Sequence, residues 1–230
     1  MNKGKVKKKI YKRWWFWIVA IIFILILANP LNKNSKTVKE KNIVESDKKK
    51  SDEKVVKDKT KTRDNSTAVE TVLATGSFIV GQDIPKGRYV CTSDSSGNFV
   101  IYDKDNIPVV NEILGDENLG VTKVTVDIKD GEKIDIGGIK NVKFTPANTE
   151  LLKELTTGIW EVGLDIKEGR YVASSAKGQG NFIVYRKGLP ITNEILSNSG
   201  EFGVPSITLE IKNGDLIQIS ALEKVIFNSK

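Results

Sequence analysis

The sequence predicts an all-β protein, with two tandem small β-sandwich or jelly-roll-like domains after an N-terminal transmembrane helix. Three observations predict it. Residues 76–144 return 82 to 83 positions later; both copies alternate apolar and polar residues in short runs bounded by turn residues; and a 15-residue apolar run follows a basic N-terminus.

Seven Lys and Arg residues precede an unbroken apolar stretch at residues 14–28, closed by Asn29 and Pro30. Such a flank stays in the cytoplasm, so the chain beyond it is expected outside, with residues 14–28 in the plasma membrane. Fifteen residues reach only about 22 Å as a helix, against a hydrocarbon core of roughly 30 Å. Snorkelling by Lys12 and Arg13, interfacial placement of Trp14, Trp15 and Trp17, and Leu31 at the far end make up the length. No small-Xaa-small cleavage site follows, and Pro30 stands where a signal peptidase would work. Residues 1–31 therefore read as a cytoplasmic basic tail and signal anchor, in preference to a cleaved signal peptide.

Residues 32–65 hold Lys, Asp, Glu, Asn, Ser and Thr with almost no large apolar side chain, so they are expected to form a disordered basic tether. The net charge of +7 divides unevenly along the chain: residues 71–230 carry 17 basic and 21 acidic residues. The basicity belongs to the tail and tether, which suits anionic lipid headgroups or an anionic envelope polymer as partner; lysines that merely solvate the tether explain it equally. An acidic folded part argues against nucleic acid. The single cysteine, Cys91, excludes an intrachain disulfide, and its counterpart Ala173 gives it a packing role.

The repeat domains are expected at 66–147 and 148–230. Gly76-Ser-Phe-Ile-Val-Gly-Gln-Asp-Ile-Pro-Lys-Gly-Arg-Tyr-Val90 returns as Gly158-Ile-Trp-Glu-Val-Gly-Leu-Asp-Ile-Lys-Glu-Gly-Arg-Tyr-Val172, and Asn111-Glu-Ile-Leu114 as Asn193-Glu-Ile-Leu196. Strands are predicted at 77–80, 88–92, 98–102, 123–128, 133–136 and 141–144, and again at 159–162, 170–173, 181–185, 207–211, 216–219 and 224–227. Lys129-Asp130-Gly131 and Lys212-Asn213-Gly214 carry a hairpin signal. Gly87 and Gly169 close turns begun by Asp83 and Asp165, whose carboxylates are expected to take N–H groups two residues on. Residues 111–114 and 193–196 read as short helical turns, 67–73 and 149–155 as a brief helix or lead-in strand, and Pro108 and Pro190 as loop residues. Units of about 80 residues bury only about 60 to 65% of their unfolded surface, so the copies are expected to support one another.

Catalysis has little to work with. The chain lacks histidine, which removes Ser-His and Cys-His pairs and histidine metal ligands, and no cofactor or metal is expected. Two-carboxylate chemistry through Glu112 and Glu194, or Asp83 and Asp165, requires the copies to bring them together. Asp103-Lys104-Asp105-Asn106 alternates oxygen ligands in the manner of a calcium loop, but copy two has Arg186-Lys187-Gly188 there. Aromatic rings offer a third site. Phe78 and Trp160, Tyr89 and Tyr171, and Tyr102 and Tyr185 are paired across the copies, while Phe99, Phe144, Phe182 and Phe227 are expected in the core. Tyr102 and Tyr185, each ending a strand beside a charged loop, with Arg88 and Arg170, are the candidate ligand-binding residues. Alternation turns each arginine away from the neighbouring Tyr89 or Tyr171.

The pattern Gly-Xaa-aromatic-Xaa-Val-Gly-Xaa-Asp-Ile-Xaa-Xaa-Gly-Arg-Tyr resembles a repeat of membrane-anchored or secreted surface proteins of Gram-positive bacteria. The spacing of Gly81, Asp83, Gly87 and Tyr89 is its most specific part, and Lys167 departs from it where Pro85 stands. The resemblance implies an extracytoplasmic location and supplies no activity. The expected function is a membrane-anchored binding or interaction module for cell-envelope polymer or protein. The alternative is a structural or sensory accessory subunit of a membrane complex, with residues 14–28 against a protein partner's helix.

Overall fold

The structure, a computed structural model, describes residues 62–116 and 119–230. The expected anchor and residues 32–61 of the expected tether lie outside the described residues. Among those described the chain is all-β: copy one gives β1 (Thr71–Ile79), β2 (Gly87–Thr92), β3 (Gly97–Tyr102), β4 (Pro108–Leu114), β5 (Lys123–Ile128) and β6 (Lys133–Pro146). Copy two gives β7 (Glu154–Leu155), β8 (Gly158–Glu161), β9 (Gly169–Ser175), β10 (Gln179–Arg186), β11 (Leu189–Ser197), β12 (Ser206–Ile211), β13 (Leu216–Ser220) and β14 (Val225–Ser229).

Period-two alternation sends one set of side chains from these strands inward. Two separate apolar clusters result, one drawn from residues 73–144 and the other from 155–227. Each is centred on the same aromatic trio. Tyr89 meets Phe144 edge-on at 6.0 Å and Phe99 lies 5.9 Å from Phe144, while Tyr171 meets Phe227 at 5.9 Å and Phe182 lies 6.0 Å from Phe227. Cys91 and Ala173 are both fully buried beside them, and burial pushes the Cys91 thiol far above its usual range.

In copy two the strands run β11-β10-β13-β8 in one sheet and β12-β9-β14-β7 in another. Copy one has the same partners, but β1 and β6 run unbroken through both layers: the first half of β6 pairs with β3, and its end pairs with β2. Its six predicted strands correspond to five observed ones, because those at 133–136 and 141–144 are fused through Gly137 and Gly138 in β6, and β4 is the sixth. Copy two interrupts the equivalent path at Ala221, a non-glycine residue at φ +57°. The path continues across the repeats, because β5 pairs with β8 in parallel where Thr125 opposes Gly158.

Several expectations are corrected. Residues 111–114 and 193–196 are not helical turns; they lie in β4 and β11, which pair with β3 and β10 along their length. Pro108 and Pro190 belong to those strands and not to loops. Both strands stand at the ends of the ten-stranded sheet, where a missing N–H costs no ladder bond. Asp-Gly and Asn-Gly make tight turns but no hairpins, because β5 and β6, like β12 and β13, do not pair with each other. Gly131 N–H instead donates to Val80 O, and Gly214 N–H to Val162 O, at 2.9 Å each, so the turns dock on the ends of β1 and β8. A real two-residue hairpin joins β10 to β11, with Lys187 at φ +53° and Gly188 at φ +78°. Finally, Asp83 and Asp165 reach back four residues and not forward two, accepting the N–H of Ile79 and Glu161 at 2.7 Å.

Candidate functional site

The repeats meet through different surfaces of the same unit. Copy one offers Arg88 on β2 and Asp127 on β5, cross-strand partners on the face away from its core; copy two offers Ile159 and Trp160 on β8 and Asp165 in the following turn. Arg88 is 1% exposed, and its guanidinium carbon lies 4.8 Å from the Trp160 ring centroid. Its Nη1 donates to Asp127 Oδ2 at 2.8 Å and to the carbonyl of Ile159 at 2.9 Å, and Nη2 stands 3.4 Å from Asp165 Oδ2. Burial pulls the Arg88 pKa below its usual value, and the charges of Asp127 and Asp165 oppose that.

A second arginine completes the cluster. Arg63 grips Asp165 with both terminal nitrogens at 2.6 and 2.7 Å and places Nε 3.1 Å from Asp127. Two arginines and two aspartates thus neutralise one another, with Arg88 and Asp165 buried and Asp127 half-buried at the margin, and the pairing makes the buried charges tolerable. Sequence reasoning assigned Arg63 to the tether. The available signal was chemical: Arg63 is the single arginine among eleven lysines in residues 32–70, and only guanidinium gives a bidentate grip on a carboxylate. Asn65, also assigned to the tether, clamps the start of β2 by accepting from Arg88 N–H at 2.7 Å and donating to Arg88 O and Ala147 O.

Two further contacts flank the cluster. Glu112 on β4 accepts from the Ser220 hydroxyl and from Ala221 N–H, and Glu223 accepts from the backbone and hydroxyl of Thr122. Desolvation raises the Glu112 pKa despite those two hydrogen bonds. A carboxyl whose pKa is raised on folding adds stability below the unfolded value of about 4.3 and loses it as pH climbs through the folded value. The stability of the natural chain relative to Glu112→Gln is therefore expected to fall as pH rises from about 4 to 7, read by urea melts. A gap independent of pH would mean that Glu112 is not desolvated at the junction.

Beside the cluster lies an open cleft of about 550 Å³ whose lining includes Arg88, Trp160, Lys123, Lys153, Lys224 and Glu154. Arg88 Nη2 is buried and makes no hydrogen bond. Of the four sequence-derived candidates, only Arg88 reaches this cleft. Arg170 is exposed on β9, Tyr102 carries the Lys133 ammonium 4.3 Å over its ring, and the Tyr185 hydroxyl lies 3.3 Å from Gln218 Oε1. The structure does not gather these four into one site.

The other sequence candidates separate too. Glu112 and Glu194 fall on β4 and β11, opposite ends of the ten-stranded sheet, and Asp83 is exposed while Asp165 is buried. Asp103 Oδ1 is occupied by the N–H groups of Asp105 and Ile107, and no cluster of three metal-ligating side chains occurs among the described residues. Comparison of the chain with protein-family models, with curated proteins and with solved structures finds no match.

Proposed function

We propose that the chain is a membrane-anchored, extracytoplasmic binding module for cell-envelope polymer or protein. In this reading two tandem β-sandwich domains follow the anchor, and the cleft at their junction receives the ligand. The observation that carries it is the open cleft of about 550 Å³ at the junction, which Lys123, Lys153 and Lys224 line. Lysines on such a lining favour an anionic oxygen acceptor. Phosphate or carboxylate groups of an envelope polymer, or acidic side chains of a protein, have that chemistry. The basic residues before the repeats support the same preference for anionic surroundings.

The test is binding of the full-length chain in detergent to isolated envelope fractions. Lys123→Glu combined with Lys153→Glu is expected to weaken binding about tenfold or more with the fold retained, whereas Tyr102→Ala with Tyr185→Ala leaves it intact. Loss only in the tyrosine variant would move the site to the strand ends. Undiminished binding in both would remove the cleft and the tyrosines together and leave the basic residues before the repeats as the anionic contact.

A further inference from the structure

The junction between the repeats is heterologous, and each repeat owns both halves of it. Copy one uses its β5 edge with Arg88, Asp127 and Glu112; copy two uses its β8 edge with Trp160 and Asp165. The half of copy two that matches copy one is uncovered: β12 ends its sheet, and its cross-strand pair Arg170 and Glu210 is exposed, as are Thr208 and Glu194. Their counterparts Arg88, Thr125 and Glu112 are buried. The apolar consequence is visible at Val204, 36% exposed where Val121 is 2% exposed.

The half of copy one that matches copy two is uncovered as well. Beyond β6, β1 pairs with no other strand, so it presents an edge where β8 receives β5. Phe78 replaces Trp160 there, half-buried, and Asp83 replaces Asp165, exposed. The backbone is prepared in the same manner. Thr157, whose carbonyl accepts Thr125 N–H at 3.0 Å, is fixed by its hydroxyl on Leu222 O; Thr75 is fixed identically on Ile139 O, at a position the pairing of β1 with β6 skips. Gly76 follows it as Gly158 follows Thr157, with the Phe78 ring, and no other strand, lying over it.

We propose that a second copy of this chain covers these surfaces, β12 of one molecule lying parallel to β1 of the next with Thr208 opposite Gly76. Arg170 then stacks on Phe78 and pairs with Asp83, while Glu210 takes the place of Asp127. The occupant follows from continuity with the junction inside the chain, since the two free surfaces are the missing partners of its two halves. A head-to-tail contact does not close on itself in a dimer and propagates into a ring or a row. It is weaker than the internal junction because no arginine equivalent to Arg63 reaches it, each molecule's own Arg63 being held by Asp127 and Asp165. Edge strands left bare are adhesive, and here the adhesion is directed by charge and register.

The internal junction also sets the test. The hydroxyl oxygens of Thr125 and Thr156 stand 3.5 Å apart across the internal junction, so their exposed counterparts Thr208 and Ala74 should come close between molecules. Two full-length variants in detergent, Thr208→Cys and Ala74→Cys, are mixed under mild oxidation; the natural Cys91 is buried and takes no part. A disulfide dimer in the mixture, absent from either variant alone, is expected. Light scattering of the natural chain should show concentration-dependent association, weakened about tenfold by Arg170→Asp or by Asp83→Arg and restored when the two variants are mixed. Circular dichroism confirms that each variant is folded. A chain that remains monomeric to about millimolar concentration, or one that cross-links equally in the single variants, overturns the proposal. Neither outcome bears on binding in the junction cleft, whose lysines lie outside this contact.

Discussion

Gly158→Ala is expected to destabilise the protein by about 3 kcal/mol or more, against about 1 kcal/mol for the same change at its counterpart Gly76. A Cβ on Gly158 would stand 1.9 Å from the carbonyl oxygen of Thr125, backbone that cannot step aside without parting β5 from β8. On Gly76 it would meet only the Phe78 ring at 3.2 Å. Both glycines hold positive φ, +141° and +157°, so the cost of that conformation is largely shared and the difference measures the contact between repeats. Urea unfolding of the two variants supplies the comparison. Equal costs would show that the repeats do not approach at this residue.

Arg88→Met should cost about 3 to 5 kcal/mol, whereas Arg170→Met should stay within about 0.5 kcal/mol. Methionine fills much of the same volume but leaves Asp165, 2% exposed, and Asp127 to share Arg63 alone, and it abandons the Ile159 carbonyl. Lysine should fail to rescue, because a point charge on a flexible stem cannot bridge Asp127 and Ile159 while stacking flat on Trp160. If the cluster couples the repeats, the natural chain is expected to unfold in one transition and Arg88→Met in two. Coincident transitions and an unchanged midpoint would demote the cluster to a surface ion pair.

Much of the architecture was legible because it is local. Alternation in 123–128 and 207–211, and the matched spacing between the copies, placed most of the predicted strands within a residue or two, since the period of a half-buried strand is written in its own side chains; β4, β7 and β11 were not among them, and β1 begins at Thr71. The errors share a cause. Asp130-Gly131 and Asn213-Gly214 specify a tight turn, but which strand each emerging run pairs with depends on residues far along the chain, so the predicted hairpins became crossings between layers. Residues 111–114 were misread because four residues carry no period long enough to tell a turn from an edge strand.

By itself the sequence determined the all-β class, the duplication and the two aromatic-centred cores, because these follow from composition and short-range pattern. Only the tertiary structure decided what identical residues do. Arg88 and Arg170 occupy the same place in the same motif, yet one is buried against Trp160 between two aspartates and the other faces solvent. The same division falls between Asp165 and Asp83, and between Glu112 and Glu194. A repeat fixes the shape of each unit; a heterologous contact between two units necessarily covers different halves of each, and that asymmetry is created by packing and has no trace in the motif.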